Sequence, residues 1–135
     1  MSRAQPNLDE AIRRMGREPM NPVGQCFESA IRQLVCPSDT PGDARLCHGI
    51  GIATMPGQEG NVMGHAWVEY DHGLTRMAID TTWGVQQEAG VYRRKMRLNY
   101  VREYTRDQAI WLWKFKGNPG PWDMAIRRIT DGRAP

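Results

Sequence analysis

Two short alternating stretches joined by a tight turn constrain this chain more than any other feature. His65–Tyr70 reads HAWVEY and Arg76–Thr81 reads RMAIDT, with Asp71-His72-Gly73 as turn residues after the first. Alternation with a period of two marks strands, and so short a connection makes them an antiparallel hairpin. The pleat places His65, Trp67 and Glu69 on one face and Ala66, Val68 and Tyr70 on the other. The hairpin also brings the start of its first strand beside the end of its second. His65 and Asp80, 15 residues apart, stand at those two places. A hairpin alone is marginal in water, so the rest of the chain must extend and cover it.

Covering elements are legible on both sides. Asn7–Arg17 reads as a first helix, with capping-box spacing between Asn7 and Glu10 and apolar Leu8, Ala11, Ile12 and Met15 at helical period. Pro19, Pro22 and Gly24 interrupt it. A second helix starts near Cys26, with Phe27, Ala30, Ile31, Leu34 and Val35 as one stripe and Pro37 as its stop. Residues 37–45 read as a surface loop, Leu46–Thr54 as a strand, and Met55–Gly64 as a Gly-rich loop that delivers His65. Tyr92–Tyr100 reads as a further strand: Tyr92, Met96, Leu98 and Tyr100 share one face, Arg93, Lys95, Arg97 and Asn99 the other. Thr105 and Gln108 form a second capping box for a helix Arg106–Lys116 closed by Gly117, and the tail after it holds a turn and one short helix. Helices come mainly first and strands later, which predicts an α+β fold with an antiparallel sheet.

The chain of 135 residues is read as one domain, residues 1–135, large enough to bury a core. Its net charge of +3 does not by itself call for nucleic acid. Three cysteines cannot all pair within one chain, the N-terminal MSRAQPNLDEAIRRMG has no apolar segment of signal-peptide type, and no run is long enough to span a membrane. The expectation is a cytoplasmic protein with unpaired thiols, which are open to a chemical role.

Cys26, His65 and Asp80 follow the order nucleophile, base, orienter. A thiol in the first turn of a helix gains from the positive end of the helix dipole. An imidazole against it favours the thiolate, the nucleophilic form, over an ordinary thiol with a pKa of about 8.5. A carboxylate at a strand end accepts from the far nitrogen of the histidine and fixes its tautomer. The backbone N–H of Cys26 is a candidate oxyanion donor, with Gln25 or Asn21 as the second. Trp67 and Trp83 flank the site and are candidate substrate contacts. Each residue also has a plainer reading. Cys26 alone reads as a small buried apolar residue, His65 as a surface or satisfied core histidine, and Asp80 as the turn-former of DTTWG. The conjunction of the three is what favours chemistry.

With those residues in view, Cys26 at a helix start, then Gly64-His65-Ala66-Trp67-Val68-Glu69, then Ile79-Asp80-Thr81-Thr82-Trp83, resembles the core of the transglutaminase-like branch of the papain-like superfamily. The resemblance covers about residues 24–84. It implies an α+β core with the nucleophile on a helix and the histidine and aspartate on adjacent antiparallel strands. It implies a thioester intermediate, with peptide hydrolysis, deamidation, cross-linking or acyl transfer as outcomes. Phe27 stands where larger transglutaminases often carry a tryptophan, and no large substrate-binding subdomain fits. Residues 55–64 and 84–91 are therefore expected to grip the substrate as loops. GxCFExA, LCHG, GHAWVE and GPWD also resemble small uncharacterised proteins of phages and prophages, which brings in a host protein as a target.

Other signals rank lower. Cys47-His48 with Cys36 matches no zinc spacing. A rival site at Cys47 or His48 lacks a helix dipole, His72 reads as a solvated turn residue, and Glu69 and Asp71 are rival partners for His65. Arg93, Arg94, Lys95, Arg97, Arg127 and Arg128 read as a solvated basic edge rather than a nucleic-acid surface. The tryptophans other than Trp67 and Trp83, which flank the proposed site, read as core rather than as cofactor contacts. The leading expectation is a cysteine hydrolase or acyltransferase acting on a protein or peptide amide without metal or organic cofactor. The alternative is a binding or inhibitory protein that keeps the fold and does not turn over; a basic nucleic-acid binder comes third.

Overall fold

The expected hairpin is the centre of the sheet. The computed structural model describes residues 23–35, 40–41, 43–52, 57 and 59–131. Along the chain these form α1 (Val23–Val35), β1 (Arg45–Ile52), β2 (Val62–His72), β3 (Thr75–Asp80), β4 (Val85–Glu88), α2 (Ala89–Lys95), β5 (Tyr100–Thr105), α3 (Arg106–Lys116) and α4 (Met124–Thr130). The five strands make one antiparallel sheet in the order β4-β3-β2-β1-β5. The fold is α+β. Helices stand before, within and after the strands, not mainly ahead of them.

The hairpin is longer than its alternating core. β2 begins at Val62, so His65 is its fourth residue and not its first. Asp71 and His72 are paired residues of the ladder, and the turn is Gly73-Leu74, with Gly73 at φ 63°. That positive φ suits glycine, which has no Cβ to clash.

Each face of the sheet has its own core. Phe27, Ala30, Ile31 and Leu34 of α1 pack with Leu46, Ala66, Val68, Ala109 and Ile126 on one side. Phe27, Ile31 and Leu34 are 0 % exposed, and burying each contributes roughly 2 kcal/mol. On the other side α2 closes over Cys47, Trp67, Ala78, Trp83 and Val85 with Ala89, Tyr92 and Met96. Neighbouring residues of β2 thus enter different cores, as the alternation requires.

One predicted strand is replaced. Tyr92–Lys95 belongs to helix α2, and β5 starts only at Tyr100. Tyr92 and Met96 are four residues apart, a spacing that one face of a strand and one face of a helix share equally. The Glu88 carboxylate decides for helix by accepting from the N–H groups of Gly90 and Val91 at 3.0 Å. Residues 84–91, expected as a substrate loop, are accordingly a turn glycine, Gly84, followed by β4 and the start of α2. The capping box at Thr105 and Gln108, the helix to Lys116 and the left-handed Gly117 match the sequence reading. So does the short terminal helix α4, capped by Asp123. Trp111 is 59 % exposed and stacks on Phe115 outside the core, contrary to its reading as a core residue.

The predicted helix Asn7–Arg17, Asn21, Cys36 and, from the expected loop 55–64, Met55, Pro56 and Gln58 lie outside the described residues; Gly57, Glu59 and Gly60 are turn residues, and Val62-Met63-Gly64, expected in the loop, already belong to β2. No helix among the described residues is long and apolar enough to cross a membrane.

Candidate active site

β2 outruns β3, and the site forms in that overhang. The ladder pairs Val68 with Ile79, so Asp80, the last residue of β3, falls opposite Trp67. His65 lies two residues further along, where β3 no longer covers the edge. Its Nε2 is 2.7 Å from Asp80 Oδ2. The Cys26 thiol hydrogen-bonds the same imidazole. With Nε2 donating to the carboxylate, Nδ1 is the atom left for the thiol. Cys26 is the fourth residue of α1, at the end of its first turn. All three side chains are buried: Cys26 is 2 % exposed, His65 and Asp80 1 % each.

Asp80 also fills the plainer role that its sequence context offered. Its Oδ1 accepts from the backbone N–H groups of Thr82 and Trp83 at 3.1 and 3.3 Å, the turn-forming bonds of DTTWG. Its Oδ2 serves His65 and a second donor, the Tyr92 hydroxyl at 2.6 Å. One carboxylate therefore holds a turn with one oxygen and the imidazole with the other.

The electrostatics follow from this enclosure. Burial alone would lower the His65 pKa. The Asp80 charge and hydrogen bond, with Cys26 behind them, outweigh burial and push it up to about 10. Burial first, then the Asp80 charge, raises the Tyr92 hydroxyl well above its ordinary range and keeps it a donor.

Trp67 stacks on the His65 ring at 6.0 Å and Trp83 meets it edge-on at 6.3 Å. Both indoles are buried. They shield the imidazole on two sides and keep its interactions in a low-dielectric setting. Gln25 lies within α1, and its side chain, like Asn21, is outside the described residues.

The rival groups are otherwise engaged. Glu69, 0 % exposed, accepts from Trp67 Nε1 at 2.7 Å and from Arg93 at 2.8 and 2.9 Å. Arg76 Nε lies 2.7 Å from the same carboxylate as an ion partner. Arg93, expected on a solvated edge, is thus drawn inward to a buried charge. Asp71 is exposed. Burial and then the Glu69 charge push the Cys47 thiol up, which opposes a nucleophilic role. His48 is buried among Phe27, Tyr104 and Trp122. Among the described residues no group of three or more His, Cys, Asp or Glu side chains is arranged to hold a metal ion.

A surface cleft of about 890 Å³ lies elsewhere, at β5 and α3, lined by Tyr104, Trp111, Leu112 and Trp122 among others, and Cys26, His65 and Asp80 do not line it. Chemistry, not cavity size, marks the overhang as the candidate site. Tyr92 is the participant that sequence reasoning missed. The Glu88-x-x-Val91 capping geometry was the available signal, because a helix there turns Tyr92 toward β3. No protein-family model, curated protein or solved structure matches the chain.

Proposed function

We propose that this chain is a cysteine-dependent hydrolase or acyltransferase acting on a protein or peptide amide, built on a papain-like or transglutaminase-like core. The observation that carries the reading is a single buried imidazole with a thiol on one side and a carboxylate on the other. Cys26 is the nucleophile, His65 carries the proton, and Asp80 orients His65. The proton that leaves Cys26 is held on His65, whose basicity the carboxylate supports. Sulfur attacks the amide carbon, and the carbonyl electron pair moves to oxygen, which the backbone N–H of Cys26, with Gln25 or Asn21 as the second donor, stabilises. The tetrahedral species collapses as the imidazolium gives its proton to the nitrogen and the C–N bond breaks. Water then attacks the thioester, His65 takes its proton, and the C–S bond breaks to release the acid. An amine in place of water gives transfer.

A second reading rests on the burial of all three groups: the fold serves as a binding or inhibitory protein, a host protein being its target, and the site does not turn over. Iodoacetamide distinguishes the two. Its rate at Cys26, Cys36 and Cys47 is followed by mass spectrometry from pH 5 to 9 in the wild type and in His65→Ala. Under the enzyme reading, Cys26 reacts at pH 6 at least about tenfold faster than the other two thiols, and His65→Ala removes the advantage. A Cys26 no faster than Cys36 and Cys47 overturns it in favour of binding.

A further inference from the structure

We propose that Tyr92 is a positioning residue of the site, acting through Asp80 to set how strongly His65 holds its proton. The argument is the sharing of one oxygen. Asp80 Oδ2 accepts from the Tyr92 hydroxyl at 2.6 Å and from His65 Nε2 at 2.7 Å. Charge that Oδ2 commits to the phenol is charge withheld from the imidazole. The bonds to Oδ1, at 3.1 and 3.3 Å, are longer and come from neutral amides of the following turn, so the phenol is the short second contact on the oxygen that matters.

Tyr92 is itself held firmly. It is 0 % exposed and packs its ring against Trp67 at 5.6 Å. The next residue, Arg93, clamps α2 to the sheet through its two hydrogen bonds to buried Glu69. Glu88 caps the start of the same helix. The hydroxyl therefore has little freedom to leave Asp80. A phenylalanine would fill the core equally well, so packing alone does not require the oxygen.

His65 faces charged or titratable groups from four elements among the described residues: Cys26 of α1, His48 of β1, Asp80 of β3 and, through Asp80, Tyr92 of α2. Removing only the Tyr92 hydroxyl leaves the first three in place. Oδ2 then answers to His65 alone, and the imidazolium gains. A histidine that binds its proton more tightly returns it to a leaving nitrogen less readily, so Tyr92 keeps the base within a useful range.

This inference rests on the thiol–imidazole–carboxylate reading, and its test separates the two. The His65 ring is titrated by ¹⁵N NMR in the wild type, Tyr92→Phe, Asp80→Asn and the double variant, with Cys26 alkylation followed in the same samples. Tyr92→Phe is expected to raise the His65 midpoint by about one pH unit, a tenfold gain in proton affinity. In the Asp80→Asn background the same change has no effect, because the connection runs through that carboxylate. If Asp80→Asn does not fold, 3-fluorotyrosine in place of Tyr92, a stronger donor, supplies the second arm and moves the midpoint down. An unmoved or lowered midpoint in Tyr92→Phe, or an equal shift with and without Asp80, overturns the proposal. A Cys26 indifferent to His65, with the His65 midpoint still following Tyr92, overturns turnover and leaves Tyr92 as the positioning residue of the pair.

Discussion

Replacing His48 by leucine should stabilise the protein selectively in acid. His48 is 0 % exposed, and its ring packs against Phe27 at 4.8 Å, Trp122 at 5.1 Å and Tyr104 at 5.2 Å. Neither ring nitrogen has a hydrogen-bond partner among the described residues. Burial pushes its pKa from 6.5 down to about 3, against the opposing charge of Asp123. A folded-state value below the unfolded one means stability that is fully present above pH 6.5 and is lost as pH falls toward 3. By linkage, this one group costs the wild type roughly 2 kcal/mol at pH 5 and approaches roughly 5 kcal/mol near pH 3. Leucine has a similar volume, carries no proton and breaks no observed hydrogen bond. At pH 7 it relieves the unpaired buried polar atoms, so His48→Leu should match or exceed the wild type there. Urea denaturation at pH 7 and pH 5 reads the difference between the two proteins, in which other acid-sensitive groups cancel. The variant should lose about 2 kcal/mol less than the wild type between those pH values. Parallel losses would refute the argument that a desolvated neutral imidazole sits at this position.

The remaining expectations concern the other buried charges. Because the His65 pKa is raised to about 10, its contribution is fully present below pH 6.5 and is lost as pH rises toward 10; wild-type melting temperature should fall over that window more steeply than that of His65→Gln. Glu69→Gln should cost about 3 kcal/mol in urea denaturation, since Glu69 is 0 % exposed and Arg93 and Arg76 both turn inward to meet its charge; a loss within 0.5 kcal/mol, the range of ordinary surface changes, would show that those arginines are satisfied without it.

What could be read from the sequence divides by the range of the interaction. The β2–β3 hairpin and the His65–Asp80 approach follow from a period of two and a short turn, both written within about 20 consecutive residues. Helix α3 was legible for the same reason: its capping box, Thr105 with Gln108, and its terminal glycine are all local. Tyr92–Lys95 was misread because Tyr92 and Met96 satisfy two periods at once, and glutamate is not among the favoured N-cap residues. With the wrong element assigned there, the phenol could not be placed on Asp80. Arg93 was misread for a different reason. Its partner Glu69 is 24 residues away, and no local pattern distinguishes a solvated arginine from one that reaches a buried carboxylate.

His48 and His65 make the same point within one strand pair. They sit on neighbouring strands, where His48 pairs with Ala66 and His65 with Gly49. Both are buried to within 1 % of complete, so desolvation disfavours the charged ring in each. Yet the His48 pKa is pushed down to about 3 and that of His65 up to about 10. Burial cannot account for opposite shifts. The difference is what each ring meets: aromatic edges around His48, a carboxylate and a thiol around His65. The two contributions to stability are both complete only near pH 6.5, one declining on the acid side and one on the alkaline side. The hairpin register decides which imidazole receives the carboxylate. A register shift of one residue in β2 would turn His65 to the opposite face of the sheet, away from Asp80. The proposed chemistry therefore depends on strand pairing as directly as on the three side chains that perform it.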